Sequence, residues 1–82
     1  MAERVTKSRL LFEVDILNGL VEQLAPGTRF GIERAYGQPR LIRYAGAGIA
    51  DVSPRMTCGD LYRTLLVAND ILNTLVRNQR GE

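Results

Sequence analysis

Histidine and tryptophan are absent from this 82-residue chain, and Cys58 is its only cysteine. Without histidine the chain lacks the usual general base of a hydrolytic triad and any imidazole metal ligand. A single cysteine can neither close an intramolecular disulfide nor build a thiolate zinc site. Glu13, Asp15 and Glu22 fall on the polar side of a helical pattern, so paired catalytic carboxylates are missing as well. We therefore expect no catalytic residue, no metal and no cofactor, and a function that is not enzymatic.

Long hydrophobic runs are missing too, since no stretch approaches the roughly 18–20 apolar residues of a membrane-spanning helix. Residues 1–7 are polar, unlike the apolar region of a secretory signal. A lone free cysteine suits a reducing compartment. We expect a cytoplasmic protein with no membrane partner.

What remains is the composition of a small globular domain. A hydrophobic content of 45% is ordinary for a folded protein, and 82 residues suffice for one domain with a small core. We predict a single domain over residues 1–82, with frayed tails at 1–7 and 79–82.

Two segments carry apolar residues at the helical period. The first is predicted from Arg9 to Ala25, with Ser8 as its N-cap and Pro26-Gly27 ending it. The second is predicted from Cys58 to Asn78, behind a sequence at 57–60 that resembles a capping box. Their apolar stripes consist of Leu10, Val14, Leu17, Val21 and Leu24, and of Leu61, Leu65, Ala68, Leu72, Leu75 and Val76, with Ile71 at the edge of the second.

Between the helices the period changes to two, which predicts a β-hairpin with strands at 28–36 and 40–44 around a turn at 37–39. Residues 49–52 are either a third short strand or an irregular connection. The glycines at 46 and 48 indicate a bend, because a dinucleotide fingerprint needs a third glycine and an immediately following helix. The predicted fold is α+β: helix, hairpin and helix, with both helices packed on a small antiparallel sheet. On the first strand, one side is expected to carry Phe30, Ile32, Arg34 and Tyr36.

The charge balance is nearly even, with 11 basic and 9 acidic residues, but ten of the basic residues are arginine. Arginine suits interfaces because its planar guanidinium forms bidentate hydrogen bonds, although codon bias in a GC-rich genome would give the same composition. The alternative for each hairpin arginine is a surface ion pair with Glu33, Asp51 or Asp60. Aromatic residues in strands also commonly pack across strands. The predicted partner-binding residues are Arg34, Tyr36, Arg40, Arg43, Tyr44 and Arg55.

The start of the second helix is a candidate anion site, because the N-terminal N–H groups of a helix attract negative charge. Its residues are Arg55, Thr57, Cys58 and Gly59, and Asp60 would compete with an incoming anion. Cys58 has no base to activate it and is expected to be a small residue buried in the capping turn.

Four apolar residues fall off the two helical stripes: Leu11, Phe12, Leu66 and Val67. A monomer rarely exposes large apolar patches, so these residues predict a homo-oligomer, most simply a dimer. The alternative is that wide helical faces wrap around the hairpin and bury these side chains within one chain.

The stretch from Ile32 to Arg43, the Asp51–Arg55 segment and Leu61-Tyr62 resemble small uncharacterised proteins of bacteriophages and prophages. These carry a Tyr-Gly-x-x-Arg-Leu-x-Arg hairpin and a Ser-Pro-Arg sequence before a C-terminal helix, and the resemblance covers about half of the chain. The resemblance implies a phage accessory protein. This class acts by binding host or phage macromolecules, and it includes anti-defence proteins. The expected function is a protein–protein interaction module that inhibits a host or defence factor. The alternative is a phosphate-ligand or nucleic-acid binding protein that uses the basic hairpin and the second helix N-terminus.

Overall fold

A computed structural model describes residues 6–81 of the chain, and it has the predicted α+β order. The three strands form one antiparallel sheet in the order β1-β2-β3, so the hairpin is extended by a third strand. The elements are α1 (Lys7–Leu24), β1 (Arg29–Ala35), β2 (Gln38–Ala45), β3 (Gly48–Asp51) and α2 (Cys58–Gln79).

Helix α1 begins two residues earlier than predicted, because Thr6 rather than Ser8 is its N-cap. The Thr6 hydroxyl accepts a hydrogen bond from the N–H of Arg9, and this satisfies a donor that the helix itself leaves free. Lys7 therefore belongs to α1 and not to a tail, and at the other end Gln79, also predicted in a tail, belongs to α2. Residues 1–5 and 82 lie outside the described range. The predicted Thr57 cap of α2 is confirmed by its hydrogen bond from the Asp60 N–H.

The first hairpin turn lies at Tyr36-Gly37 and not at 37–39 as predicted. Both residues have positive φ, 55° and 75°, as a type I′ turn requires. Gln38 and Pro39 therefore belong to β2. Pro39 fits there because its missing N–H faces away from β1, where Arg34 is opposite it and no ladder bond is lost.

The connection after the second turn resolves into strand β3 at 48–51, and the chain then continues beside β2. The N–H groups of Val52 and Ser53 both donate to the carbonyl of Leu41, and the N–H of Met56 donates to the carbonyl of Pro39. In return, the Ser53 hydroxyl accepts from the Leu41 N–H at 3.0 Å. The edge of β2 that faces away from β1 is therefore hydrogen-bonded along its length, first to β3 and then to the segment that follows β3.

The two helices run parallel, because three antiparallel strands bring the chain back to the end where α1 began. Near their N-termini, Arg9 donates to the Tyr62 hydroxyl, and near their C-termini Arg80 donates to Gln23. Their shared core contains Leu10, Val14, Leu17, Val21, Leu41, Leu61 and Leu65, with Phe30, Ile32 and Leu72 packed against it. Neither described helix is long and apolar enough to cross a membrane.

A buried polar contact lies between the helices. The Asn69 side-chain nitrogen donates to the carbonyl oxygen of Glu13 at 3.1 Å and to its carboxylate at 3.0 Å. Both residues are more than nine-tenths buried, so Glu13 faces α2 and not solvent as its place on the polar side of the helical pattern predicted. Because another helix register would leave these groups without partners in an apolar layer, the contact favours this one alignment.

Candidate interaction surfaces

The outer side of the sheet, away from the helices, carries a network of ion pairs. Glu33 Oε1 lies 2.7 Å from a guanidinium nitrogen of Arg40 and 2.7 Å from one of Arg55. Arg40 also reaches Asp51 at 3.0 Å. Strand pairing sets Glu33 directly opposite Arg40, so three segments are joined through one carboxylate.

This network lowers the pKa of Glu33 below its ordinary value of 4.5. The hydrogen bond from Arg55 is the largest cause, and the attraction of Arg40 and Arg55 adds to it, while desolvation acts in the opposite direction. The ionised carboxylate is thus the form that the folded protein prefers.

Tyr36 stands at the tip of the first hairpin with 94% of its surface exposed. Its φ of 55° is left-handed, a conformation that a bulky residue rarely adopts. The guanidinium of Arg55 lies 5.7 Å from the ring centroid and also donates to the Gln38 carbonyl. Tyr36 is therefore presented to solvent from a short, supported turn.

Tyr44 is held on the same outer side by packing across the strands. A Cβ placed on Gly31 would lie only 2.8 Å from the Tyr44 hydroxyl oxygen, so glycine is what lets the ring lie over β1. Ile42 lies opposite Gly31 in the neighbouring strand. It is buried on this outer side, although it is not part of the core between the sheet and the helices. Tyr44 thus packs on a strand while leaving about half of its surface in solvent.

Arg34 and Arg43 lie on the other side of the sheet, which faces the helices. Arg34 shares its side with Ile32 and donates to the sulfur of Cys58 at 3.2 Å. Arg43 is exposed opposite Phe30, and neither arginine forms an ion pair with a residue of the described range. The six predicted partner-binding residues therefore do not form one surface.

The predicted anion site is partly engaged in internal contacts. The Thr57 hydroxyl accepts the capping hydrogen bond, and Cys58, half-buried beside Gly59, accepts from Arg34. Arg55 is directed to Glu33. Arg55 and the Thr57 hydroxyl are thus engaged within the fold, while no described residue accepts from the N–H groups of Cys58 and Gly59.

All four off-stripe apolar residues are exposed, but they lie on three sides of the molecule. Phe12 and Leu66 each lie about one turn beyond the contact between Arg9 and Tyr62, on the seam of the helix pair. Val67 lines a shallow apolar depression with Ile71 on α2, and Leu11 faces the edge of β1.

Sequence reasoning missed an apolar groove of about 360 Å³ between the sheet and α2. Ile71 and Val52 form its two rims and are about half exposed. The only signal was the position of Ile71 at the edge of the α2 stripe. The groove residues are Leu17, Val21, Phe30, Leu41, Val52, Ala68, Ile71 and Leu72.

Among residues 6–81, no cluster of Cys, Asp and Glu side chains has the arrangement of a metal site. Comparison with protein families, curated proteins and solved structures found no match to this chain.

Proposed function

We propose that this chain is a non-catalytic protein-interaction module that binds a protein partner in the apolar groove between the sheet and α2. The observation that carries the proposal is the lining of this groove, which is apolar throughout although it opens to solvent. Apolar surface of this kind is stabilised when another molecule removes it from water.

The occupant that fits best is the apolar face of an amphipathic helix from another protein. Ile71 and Val67 continue the groove along α2 at a spacing of four residues, so the exposed apolar surface runs lengthwise. A helix contributes side chains at three- and four-residue steps along such a surface. Arg43, exposed opposite the groove residue Phe30, is a second proposed contact of this partner. Tyr36 and Tyr44 lie on other parts of the sheet and are not needed for this contact.

The test compares affinity capture by the wild-type chain, by Ile71→Asp and by Asn73→Asp from a bacterial cytoplasm, followed by mass spectrometry. Residue 73 lies two positions along α2 from residue 71, on nearly the opposite side of the helix, and is an exposed polar control. We expect one protein to be captured by the wild type and the control and to be lost with Ile71→Asp. Equal capture by all three chains, or capture of nothing, contradicts the proposal. Thermal melts establish that the variants fold.

We further propose that the module is a phage accessory protein acting in the host cytoplasm, where it inhibits a host or defence factor. The support is the resemblance of the hairpin and the Ser-Pro-Arg segment to phage proteins. Expression of the chain in a bacterium should then restore infection by a phage that a defence system otherwise blocks. Ile71→Asp should remove this effect.

A homodimer is proposed through Phe12 and Leu66, since both are exposed on the helix seam. Light scattering after size exclusion should give twice the chain mass for the wild type and the single mass for Phe12→Lys. A wild-type monomer at micromolar concentration rules the dimer out. Leu11 and Val67 lie elsewhere and are not needed for this contact.

The alternative, a phosphate-ligand or nucleic-acid binding protein, has less support because Arg40 and Arg55 are already paired with carboxylates. Nucleic-acid binding through several phosphates weakens steeply with salt. Binding of a single-stranded oligonucleotide that falls in this way between 50 and 200 mM salt would favour the alternative.

A further inference from the structure

Strand β1 leaves backbone groups free along the edge that faces away from β2. In an antiparallel pair, the residues of a strand direct their N–H and C=O groups alternately towards and away from the neighbour. The N–H and C=O of Phe30 both bond the Asn18 side chain, at 2.8 and 3.1 Å, so they point away from β2. By alternation those of Ile32 and Arg34 point the same way, and no described residue bonds them. The Asn18 side chain thus pairs the backbone groups at one end of this edge, and those of Ile32 and Arg34 have no partner among the described residues.

A cavity of about 260 Å³ adjoins these open groups, between the first turns of α1 and the edge of β1. Leu10, Leu11 and Ile32 give it an apolar lining, and Lys7 and Arg34 stand at it as cations. Neither cation forms an ion pair within residues 6–81. Arg34 uses one donor on Cys58 and retains others, because a guanidinium has five N–H groups.

We propose that this edge binds an extended acidic segment of another protein by strand addition. Its backbone bonds the free groups of Ile32 and Arg34, and one apolar side chain enters the cavity against Leu11. Side chains two residues apart share a face of a strand, so a carboxylate two positions from that apolar residue meets Arg34 and Lys7, which stand at the same end of the edge. An acid on both sides of the apolar residue allows the segment to bind in either direction. The segment is therefore of the form acid-x-apolar-x-acid. This surface is separate from the apolar groove and does not depend on it.

Charge disfavours a second copy of β1 as the occupant. A twofold pairing that sets Ile32 opposite Arg34 of the other copy brings the two Glu33 residues face to face. The pairing centred on Arg34 sets two guanidinium groups opposite each other, and like charges in directly opposed positions are destabilising. A foreign acidic strand meets neither problem and offers complementary charge to Arg34.

The test uses a blocked heptapeptide, Thr-Asp-Thr-Leu-Thr-Asp-Thr, titrated into the ¹⁵N-labelled protein, with Lys in place of Asp as the reversed-charge probe. We expect the amides of Ile32 and Arg34 to shift and their hydrogen exchange to slow at least tenfold. Arg34→Glu should weaken binding of the acidic peptide at least tenfold and favour the Lys peptide. Arg77→Glu makes the same charge change at an exposed position of α2, away from the edge, and should alter affinity less than twofold.

The proposal is overturned by absence of binding at millimolar peptide, by shifts confined to other amides, or by equal effects of the two variants. It also fails if the Lys peptide binds the wild type as well as the acidic one. None of these outcomes bears on capture through Ile71, so the groove and the edge can fail independently.

Discussion

The two sides of the sheet use their arginines differently. On the outer side, Arg40 and Arg55 share Glu33, and Arg40 also holds Asp51. On the helix side, Arg34 and Arg43 have no carboxylate partner within the described residues. The same residue type therefore stabilises the fold on one side and remains available for a ligand on the other.

The alternation of side chains between the two faces of the sheet explains why only some of the arginines are paired. Glu33 and Asp51 both lie on the outer side, opposite or beside Arg40, and the register sets Arg34 opposite Pro39 and Arg43 opposite Phe30. An arginine can form a close cross-strand pair only with an acid on its own side. The positions of the two acids, more than the number of arginines, decide which cations are free.

The largest expected effect tests whether the outer side is itself structural. Ile42 is 3% exposed on that side, so Ile42→Ala should lower the free energy of unfolding by about 2–5 kcal/mol, as for other buried aliphatic truncations. Ile49→Ala, at an exposed position opposite Tyr44, should change it by less than about 0.5 kcal/mol. Urea denaturation measures both. A small effect of Ile42→Ala would mean that the outer side stabilises the fold through its ion pairs alone and not through buried apolar surface.

The next effect is a pH dependence that belongs to the outer side. The pKa of Glu33 is lowered on folding, so the unfolded chain binds more protons between the folded value and 4.5. Its contribution to stability is complete above that ordinary value and is lost as the pH falls through the folded pKa. Melting temperatures between pH 7 and pH 3 should therefore fall more steeply for the wild type than for Glu33→Gln. Parallel curves would show that the ion pairs are not coupled to folding.

A smaller difference separates two arginines on the same strand. Arg40→Gln removes the bridge between Glu33 and Asp51 and should destabilise the protein by about 1 kcal/mol, the upper end for a partly exposed ion pair. Arg43→Gln should change stability by less than about 0.5 kcal/mol. Chemical denaturation of the two variants compares the sides directly. Equal losses would remove the distinction between them.

The smallest effect concerns the hairpin tip. Asparagine adopts left-handed backbone more easily than tyrosine, which favours Tyr36→Asn by about 1 kcal/mol. Loss of the exposed contact with Arg55 opposes this by about 0.5 kcal/mol. A net gain of about 0.5 kcal/mol is expected in thermal or urea unfolding. A clear loss of stability would show that the ring contributes more to the fold than its exposure indicates.

Periodicity predicted the order of elements and most of the core, because apolar steps of three, four and two report local geometry. It predicted the α2 cap correctly, since Thr57 precedes an uninterrupted stripe, but missed the α1 cap because Thr6 and Ser8 are chemically equivalent candidates. The turn at Tyr36-Gly37 was also missed, because tyrosine is an unusual residue for a type I′ turn and the cross-strand register fixes its place.

The interaction surfaces were harder to predict for a different reason. Alternation along β1 indicated that Arg34 and Glu33 point to opposite sides, and so could have separated the arginines. The apolar groove depends on how far α2 stands from the strands, which no local pattern reports. Which backbone groups stay free at the β1 edge depends on the hydrogen bonds between Asn18 and Phe30, residues twelve positions apart.

Because the helices are parallel, the first and last described residues lie at opposite ends of the molecule. Helix α2 has 22 residues and is therefore about 33 Å long, so Gly81 is separated by about that distance from the end where Lys7 adjoins the β1 edge. A fusion partner or surface tether joined after α2 would leave the edge accessible, whereas one joined before α1 would stand next to it.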